Sequence, residues 1–562
     1  MQKKLLKKVQ IFLSICLVLS VLVACGPKPT EAPVEPVEVS DEGEAEEVEE
    51  AETAEEEVVL KIAIGAEIED MSSLRGGGHL AFWLAMQWAS PMYYDSEGQL
   101  HPFVFDTWES NDDFTVWTFT IDPKAVFSDN SPITAQDVKA TWDVAAVPST
   151  KHQRVGLFFS GVEGYGDVIN GNAMQMSGIV AKDSSTVVVT LTTPDPVFFQ
   201  RVASHLICPA KASQVADAEG KEVFQWWHPD NGVVTSGPFV VESIDLDNDE
   251  VVMVKNPNFW ISEPKVDKVI LRSVTDAQTA ITMFQNGELD AINEIFTPTL
   301  VEELGEEFVQ GTLIPRGHQF WLDASKAPLD DVNVRKALIL AVDPDMVFEA
   351  AFPNGPGQSV HQLLVGVDGV DASYNWYDAD PEAAQAALAE SSYGSVENLP
   401  KLYFVGISQA SHELAAQYIA EQWRQILGIE QVEMKAGFDE YSGPDQERIQ
   451  IFRDDTGARF PDAVAYLLGA IHSSSGTAQR KMGGYQNLEV DALLEEASTI
   501  PPDDPRRVEL ALEAQELYLQ DWMFIPYYHQ NISNFSMPWV KNWSKNLDWQ
   551  VVEPWNVEVE AH

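Results

Sequence analysis

The stretch from Gly26 to Glu57 constrains this chain most, because it can contribute nothing to a packed core. It is rich in Pro, Glu, Val and Ala and has no aromatic residue. With so much charge and so little apolar bulk it cannot bury enough surface to offset the entropy of ordering, so it is expected to stay disordered. Its acids, Glu44, Glu46, Glu47, Glu49, Glu50, Glu55, Glu56 and Glu57 among them, repel one another and extend it as a spacer. Ordinary globular composition begins at Val58. About 500 residues follow, enough for two or three packed units with large cores. Of the three cysteines, Cys16 and Cys25 precede that point, which leaves Cys208 alone. No internal disulfide can then form in the globular part. Its stability must come from the core, and Cys208 reads as a small buried apolar residue.

Upstream of the spacer, Lys3, Lys4, Lys7 and Lys8 form a basic region, Ile11 to Val23 a short apolar one, and Ala24 supplies a small residue at a cut site. That is the pattern of a secretory signal over residues 1–24. The apolar run is shorter than the roughly 20 residues that span a bilayer. Leu22-Val23-Ala24-Cys25 resembles a bacterial lipobox, in which the cysteine thiol is acylated and becomes the new N-terminus. The resemblance implies an extracytoplasmic protein, on the cell surface or periplasmic side, anchored to the bacterial cell membrane through lipid on Cys25, with residues 25–57 as the tether. After Val58 no stretch is long and apolar enough to span a membrane; Leu338 to Val342 is interrupted at once by Asp343 and Pro344.

The formal net charge of −53 argues against nucleic acid, which needs a basic footprint. It also argues against any electrostatic grip on anionic lipid. No phosphate-binding G-x-x-x-x-G-K-[ST] is present, and Gly76-Gly77-Gly78 is a lone glycine run. No cysteine pair has metal spacing. His412-Glu413 lacks the second histidine of a zinc-protease motif and reads as a helix-capping or surface residue. Gly-x-Ser-x-Gly is absent, and acids are too abundant for any carboxylate pair to inform. No enzyme, cofactor or metal is expected.

Short strand-like runs alternate with helical ones, the pattern of mixed α/β units. Val58 to Ile64 reads as a buried strand, Thr115 to Ile121 as an exposed-edge strand, and Thr186 to Leu191 and Leu402 to Val405 as further strands. Ala277 to Asn286 reads as a helix closed by Gly287; Val334 to Val342, Pro381 to Glu390, His412 to Leu427, Val490 to Ser498 and Arg506 to Gln520 read as helices.

Several local blocks stand in a fixed order. Trp117-Thr118-Phe119, Val126-Phe127-Ser128-Asp129 and Pro132-Ile133-Thr134-Ala135-Gln136-Asp137-Val138 come first. Asp129-Asn130 suits a tight turn, Thr134 a helix N-cap, and Asp137 the positive end of that helix. Gly178-Ile179, Ser236-Gly237-Pro238-Phe239, Asn256-Pro257-Asn258-Phe259-Trp260, Gly287-Glu288-Leu289-Asp290, Asp330 to Leu338, and Asn487 with Val490-Asp491 and Leu493-Leu494 follow. The ordered set resembles the peptide-type, family 5 solute-binding proteins of bacterial ABC importers, from about Val58 to the end. Asn130-Ser131 stands where the family usually has glycine, a place that Asn can fill in the left-handed region.

The resemblance implies an α/β, two-lobed, periplasmic-binding-protein-like fold of class II, in the large cluster with an extra subdomain, with a hinge between the lobes. Lobe I would run over 58–292, with the extra subdomain at about 96–233, lobe II over 293–522, and 523–562 would return to lobe I. The chain would be a monomer that captures a peptide-like solute between its lobes and delivers it to a permease whose ATPase lies on another chain. An oligosaccharide, or another anionic or amine-free solute, is the alternative within that role. A lipid-anchored surface sensor, adhesin or chaperone is the alternative outside transport.

Peptide-binding members hold the solute's amino terminus with the first Asp of a D-Y-x-D-P element. Aligning Pro461-Asp462 with the x-D of that element puts Arg459 at the amine-binding position, a reversal of charge, unless Asp454 or Asp455 takes over. Arg453 falls where some peptide binders carry an arginine. Two arginine forks suit a carboxylate or other anion rather than an ammonium. Phe438 and Phe460 would be apolar walls. The chain has 16 Trp, and Trp321 is among those whose flat ring could stack on a sugar face. The site candidates are thus Arg459, Arg453, Phe460, Phe438, Asp455 and Trp321.

Overall fold

The computed structural model describes residues 57–65, 72, 74, 81–218, 229–245, 247–293, 298–353, 357–406, 410–544 and 553–562. The signal, Cys25, the tether and the glycine run at 76–78 lie outside the described residues. Residues Glu57–His562 form one compact unit.

An eleven-stranded sheet runs through the whole of that unit. Along the first lobe it comprises Phe239–Asp245, Glu250–Lys255, Lys268–Ser273, Val59–Ile64 and Ala291–Asn293. Val59–Ile64 is parallel to both of its neighbours and reads as a near-continuous apolar run because both of its faces are covered. The long strand Phe524–Ser536 then links this half to the second lobe. Its end pairs with Ala291–Asn293, and most of its length pairs with Val309–Leu322. Ile451–Gly457, Leu402–Val405 and Val432–Lys435 complete the second half, and Gly357–Gln358 attaches to the linking strand.

The cores follow the same division. Phe535 joins the large cluster of the first lobe, whereas Phe524, Ile525, Tyr527 and Tyr528 belong to the two clusters of the second. One strand therefore begins in one lobe and ends in the other. Its ladder with Val309–Leu322 is interrupted between Leu313 and Gly317.

A separate four-stranded antiparallel sheet carries the extra subdomain, in the order Phe105–Ser110, Val116–Ile121, Thr186–Thr190, Ile179–Ala181. Val116–Ile121 is an interior strand of this sheet, not the edge expected from its alternation. Alternation reports that one face is buried, here by Trp117, Phe119 and Ile121, and is silent on what pairs at either side.

The 126–138 block folds as its residues dictate. Asn130 takes φ +64° in a turn closed by bonds between Phe127 and both Asn130 and Ser131. Thr134 and Asp137 form a reciprocal capping box at the start of Ala135–Ala146. The remaining helices lie within a few residues of the expected spans: Ala277–Gln285 followed by Gly287 at φ +73°, Val332–Leu340, Pro381–Glu390, Ala410–Leu427, Leu488–Ser498 and Pro505–Leu519. Cys208 is fully buried. Among the described residues no helix is long and apolar enough to cross a membrane.

Candidate functional site

The site strand is Ile451–Gly457, antiparallel to Val309–Leu322 with His318 opposite Asp455 and Phe320 opposite Arg453. Side chains alternate, so Arg453 and Asp455 share one face with Arg316, His318 and Phe320. Phe452, Asp454 and Thr456 share the other with Gln319 and Trp321.

On the first face Arg453 organises a polar cluster. Its Nη2 donates to His318 Nδ1 at 2.5 Å and to His412 Nε2 at 2.7 Å. Each imidazole uses its second nitrogen elsewhere: His318 Nε2 meets Gln530 Oε1 at 3.0 Å, and His412 Nδ1 meets the Tyr527 hydroxyl at 2.9 Å. A guanidinium can only donate, so both rings must accept from it and stay neutral. Burial, reinforced by the Arg453 charge, holds both pKa values far below the usual histidine range. Asp455 completes the group through an ion pair with Arg316 and a longer approach to Arg453, 3.8 Å. Burial alone would raise its pKa, but the adjoining cations outweigh that and hold it below the ordinary carboxylate value. The result is a partly buried, net-cationic group fixed on the second lobe.

On the opposite face Asp454 pairs with Lys481, and Gln319 Nε2 donates to Thr456 Oγ1 at 2.7 Å. Trp321 lies here as well, completely buried and packed on Phe524. The one-residue offset between the strands' faces separates it from Arg453, so it is a core residue and not a neighbour of that cluster. Phe438 is also apart: it sits on the short turn Phe438–Glu440 and is 49% exposed.

The loop after the site strand reaches the first lobe. The Arg459 guanidinium carbon lies 5.9 Å from the centre of the Phe158 ring, at the outer range of a cation–π contact. Burial, and then the charges of Arg459 and Arg154, bring the pKa of the neighbouring His152 down to about 4. Phe460 is 4% exposed and joins the first lobe's core rather than an open wall. Asp462 caps the helix Ala463–Ala470 through Ala465 N and holds Arg507 with two bonds of 2.7 and 2.8 Å, both side chains being buried.

The structure brings the expected Arg453 and Asp455 together with partners that the sequence did not single out as such. His412 is buried inside the network, not a capping or surface residue as its sequence context suggests. Its place at the apolar edge of an amphipathic helix was the available signal. His318, Tyr527 and Arg507 are joined to the site only by strand pairing and helix packing. Among the described residues no cluster of three or more metal-ligating side chains occurs.

Bacterial extracellular solute-binding proteins, family 5 Middle, match this chain over residues 99–478. The chain is 26% identical over 462 residues to the periplasmic oligopeptide-binding protein OppA of Salmonella typhimurium, across 79% of this chain and 82% of that one. The solved structure of the periplasmic murein tripeptide-binding protein MppA in its unliganded open form superposes with a TM-score of 0.74 at 20% identity, covering 90% of this chain and 98% of that one. Haemophilus influenzae OppA in complex with RPPGFSPFR superposes with a TM-score of 0.67 at 22% identity, covering 90% and 99%.

Proposed function

The chain belongs to the bacterial extracellular solute-binding proteins of family 5, and from that premise we propose that it captures a peptide-like solute between its lobes and delivers it to an ABC import permease. It is a binding protein and not an enzyme. In this reading the protein works outside the cytoplasm as a monomer, tethered through lipid on Cys25 by the acidic spacer. OppA and MppA are named for the peptides they bind, which supports a peptide-like solute here.

The observation that carries the solute class is the charge of the site strand and its loop. Arg453 stands in a partly buried cluster beside two neutral imidazoles, and the alignment of Pro461-Asp462 with the family's x-D would put Arg459 where the amine-binding Asp is expected. Guanidinium forks match carboxylates, and both are poor hosts for an ammonium group. We therefore assign the solute as a peptide-like molecule that presents a carboxylate, or lacks a free amine, at this end of the cleft. Trp83, Trp88, Trp142, Trp321, Trp423 and Trp543 are fully buried, so these six rings are spent on packing and offer no face to a sugar.

Calorimetric titration of the chain from Glu57 to His562 tests this with matched tripeptides: free, N-acetylated and C-amidated, with acidic and neutral side chains. N-acetylation is expected to preserve or improve affinity and C-amidation to reduce it. Binding that requires the free amine and ignores the carboxylate would refute the solute class; no binding by any peptide would refute the peptide reading.

A further inference from the structure

The loop 458–462 carries a side chain of the second lobe into the core of the first. Its tip is apolar and its base is rigid. Phe460 is buried in the cluster that also contains Phe158, Phe159 and Phe198, and Ala465, at the start of the following helix, packs against the same cluster. At the base, Asp462 is bonded to the Arg507 guanidinium, whose Nη1 donates to the carbonyls of Ala497 and Ile500 at 2.8 and 2.9 Å. A buried bidentate pair whose Nη1 is also held by two carbonyls fixes the loop to its own lobe. The ring therefore moves as part of the second lobe while its packing partners belong to the first.

Near the loop, a solvent-open groove of about 270 Å³ separates Phe158, Phe198 and Arg201 from Ala465, Leu468 and Arg507. One packed ring, with a groove between the two surfaces near it, is the geometry of a contact that can be made and broken.

We propose that Phe460 is a positioning residue that latches the two lobes together: its ring sets the balance between closed and open arrangements, and so tunes solute affinity without touching the solute. It follows the site strand directly, five positions after Asp455 and seven after Arg453, so a solute held on that strand and the latch ride on one rigid segment. The effect on affinity rests on the function proposed above; the effect on closure does not. Withdrawing a buried phenyl ring from an apolar site shifts such a balance by at least about tenfold.

The test is a spin-label distance measurement on the Glu57–His562 chain without added solute. Labels go on Met174→Cys in the extra subdomain and Leu488→Cys in the second lobe, positions 52% and 78% exposed. Phe460→Ala is expected to move the distance distribution to longer values and to lower the closed fraction at least about tenfold. Phe460→Leu, which retains part of the apolar contact, is expected to shift the distribution in the same direction by a smaller, still several-fold loss of the closed fraction, and stands in should the alanine variant not fold. Distance distributions unchanged in both variants, even with a lowered melting temperature, would overturn the latch and leave Phe460 a purely structural residue. If tripeptides bind, affinity in Phe460→Ala falls by the same factor as the closed fraction. If none bind, the distance result still decides the latch.

Discussion

His412 offers a quantitative test of the Arg453 cluster. Its ring is 4% exposed, accepts from Arg453 and meets the Tyr527 hydroxyl, and its pKa lies far below the ordinary value. In the unfolded chain the same ring ionises near 6.5. Between those values the unfolded state binds a proton that the folded state refuses. The contribution to stability is therefore complete above about pH 6.5 and is lost as pH falls below it. From pH 8 to pH 5 one such group costs about 2 kcal/mol, whatever the folded value is, provided it lies well below 5. His412→Gln keeps an acceptor for Arg453 but has no proton to gain. Urea unfolding of both proteins at pH 8 and pH 5, followed by tryptophan fluorescence, isolates the group. The wild type is expected to lose about 2 kcal/mol more than the variant across that interval. His318 remains in both proteins and cancels. Equal losses would show that the ring is protonated in the fold, and the donor–acceptor assignment around Arg453 would have to be abandoned.

Three further outcomes follow from the same geometry. Asp462→Ala strands a buried Arg507 and removes a helix cap, so it should cost about 3–5 kcal/mol in chemical denaturation; a loss below about 1 kcal/mol would mean that the pair is solvated. Gly237→Ala would place a methyl group 2.4 Å from the Gln87 carbonyl carbon and 2.6 Å from Met86 O and Trp88 N, all main-chain atoms, so a loss of about 1–3 kcal/mol or more is expected and an unchanged urea midpoint would contradict the close approach. Arg459→Ala should weaken an anionic solute by at least about 1.5 kcal/mol in calorimetry, and unchanged affinity would remove Arg459 from the site.

Local chemistry made most of the fold legible. The turn at Asp129-Asn130, the capping box of Thr134 with Asp137, and Gly287 after its helix each depend on residues within a few positions of one another, and each folds as read. What the residues could not disclose is partnership at long range. The alternation of Val116–Ile121 identifies a buried face, but its two flanking strands come from elsewhere in the chain. Arg453 and Asp455 share a face because they stand two apart on one strand. The imidazoles that accept from Arg453 are 41 and 135 positions away, brought in by a helix and a strand register that no local pattern encodes. Aromatic type was the weakest guide: Trp321 and Phe460 are core residues of different lobes and Phe438 is half in solvent, and only the direction each Cβ takes from the backbone distinguishes them.

The linking strand also governs when the protein can fold. It begins at residue 524 of 562, yet it pairs with Ala291–Asn293, Val309–Leu322 and Gly357–Gln358 and supplies core residues to both lobes. At ordinary elongation rates about 30 s to 2 min pass before a chain this long has been synthesised. For nearly all of that time the sheet lacks its middle, and Val309–Leu322 and Ala291–Asn293 each present an unpaired edge. Neither lobe can mature ahead of the other as an independent cotranslational unit; both wait for the same late segment. A ribosome that stalls before residue 536, or a truncation there, would leave two incomplete half-sheets with adhesive edges rather than one finished lobe and one missing one.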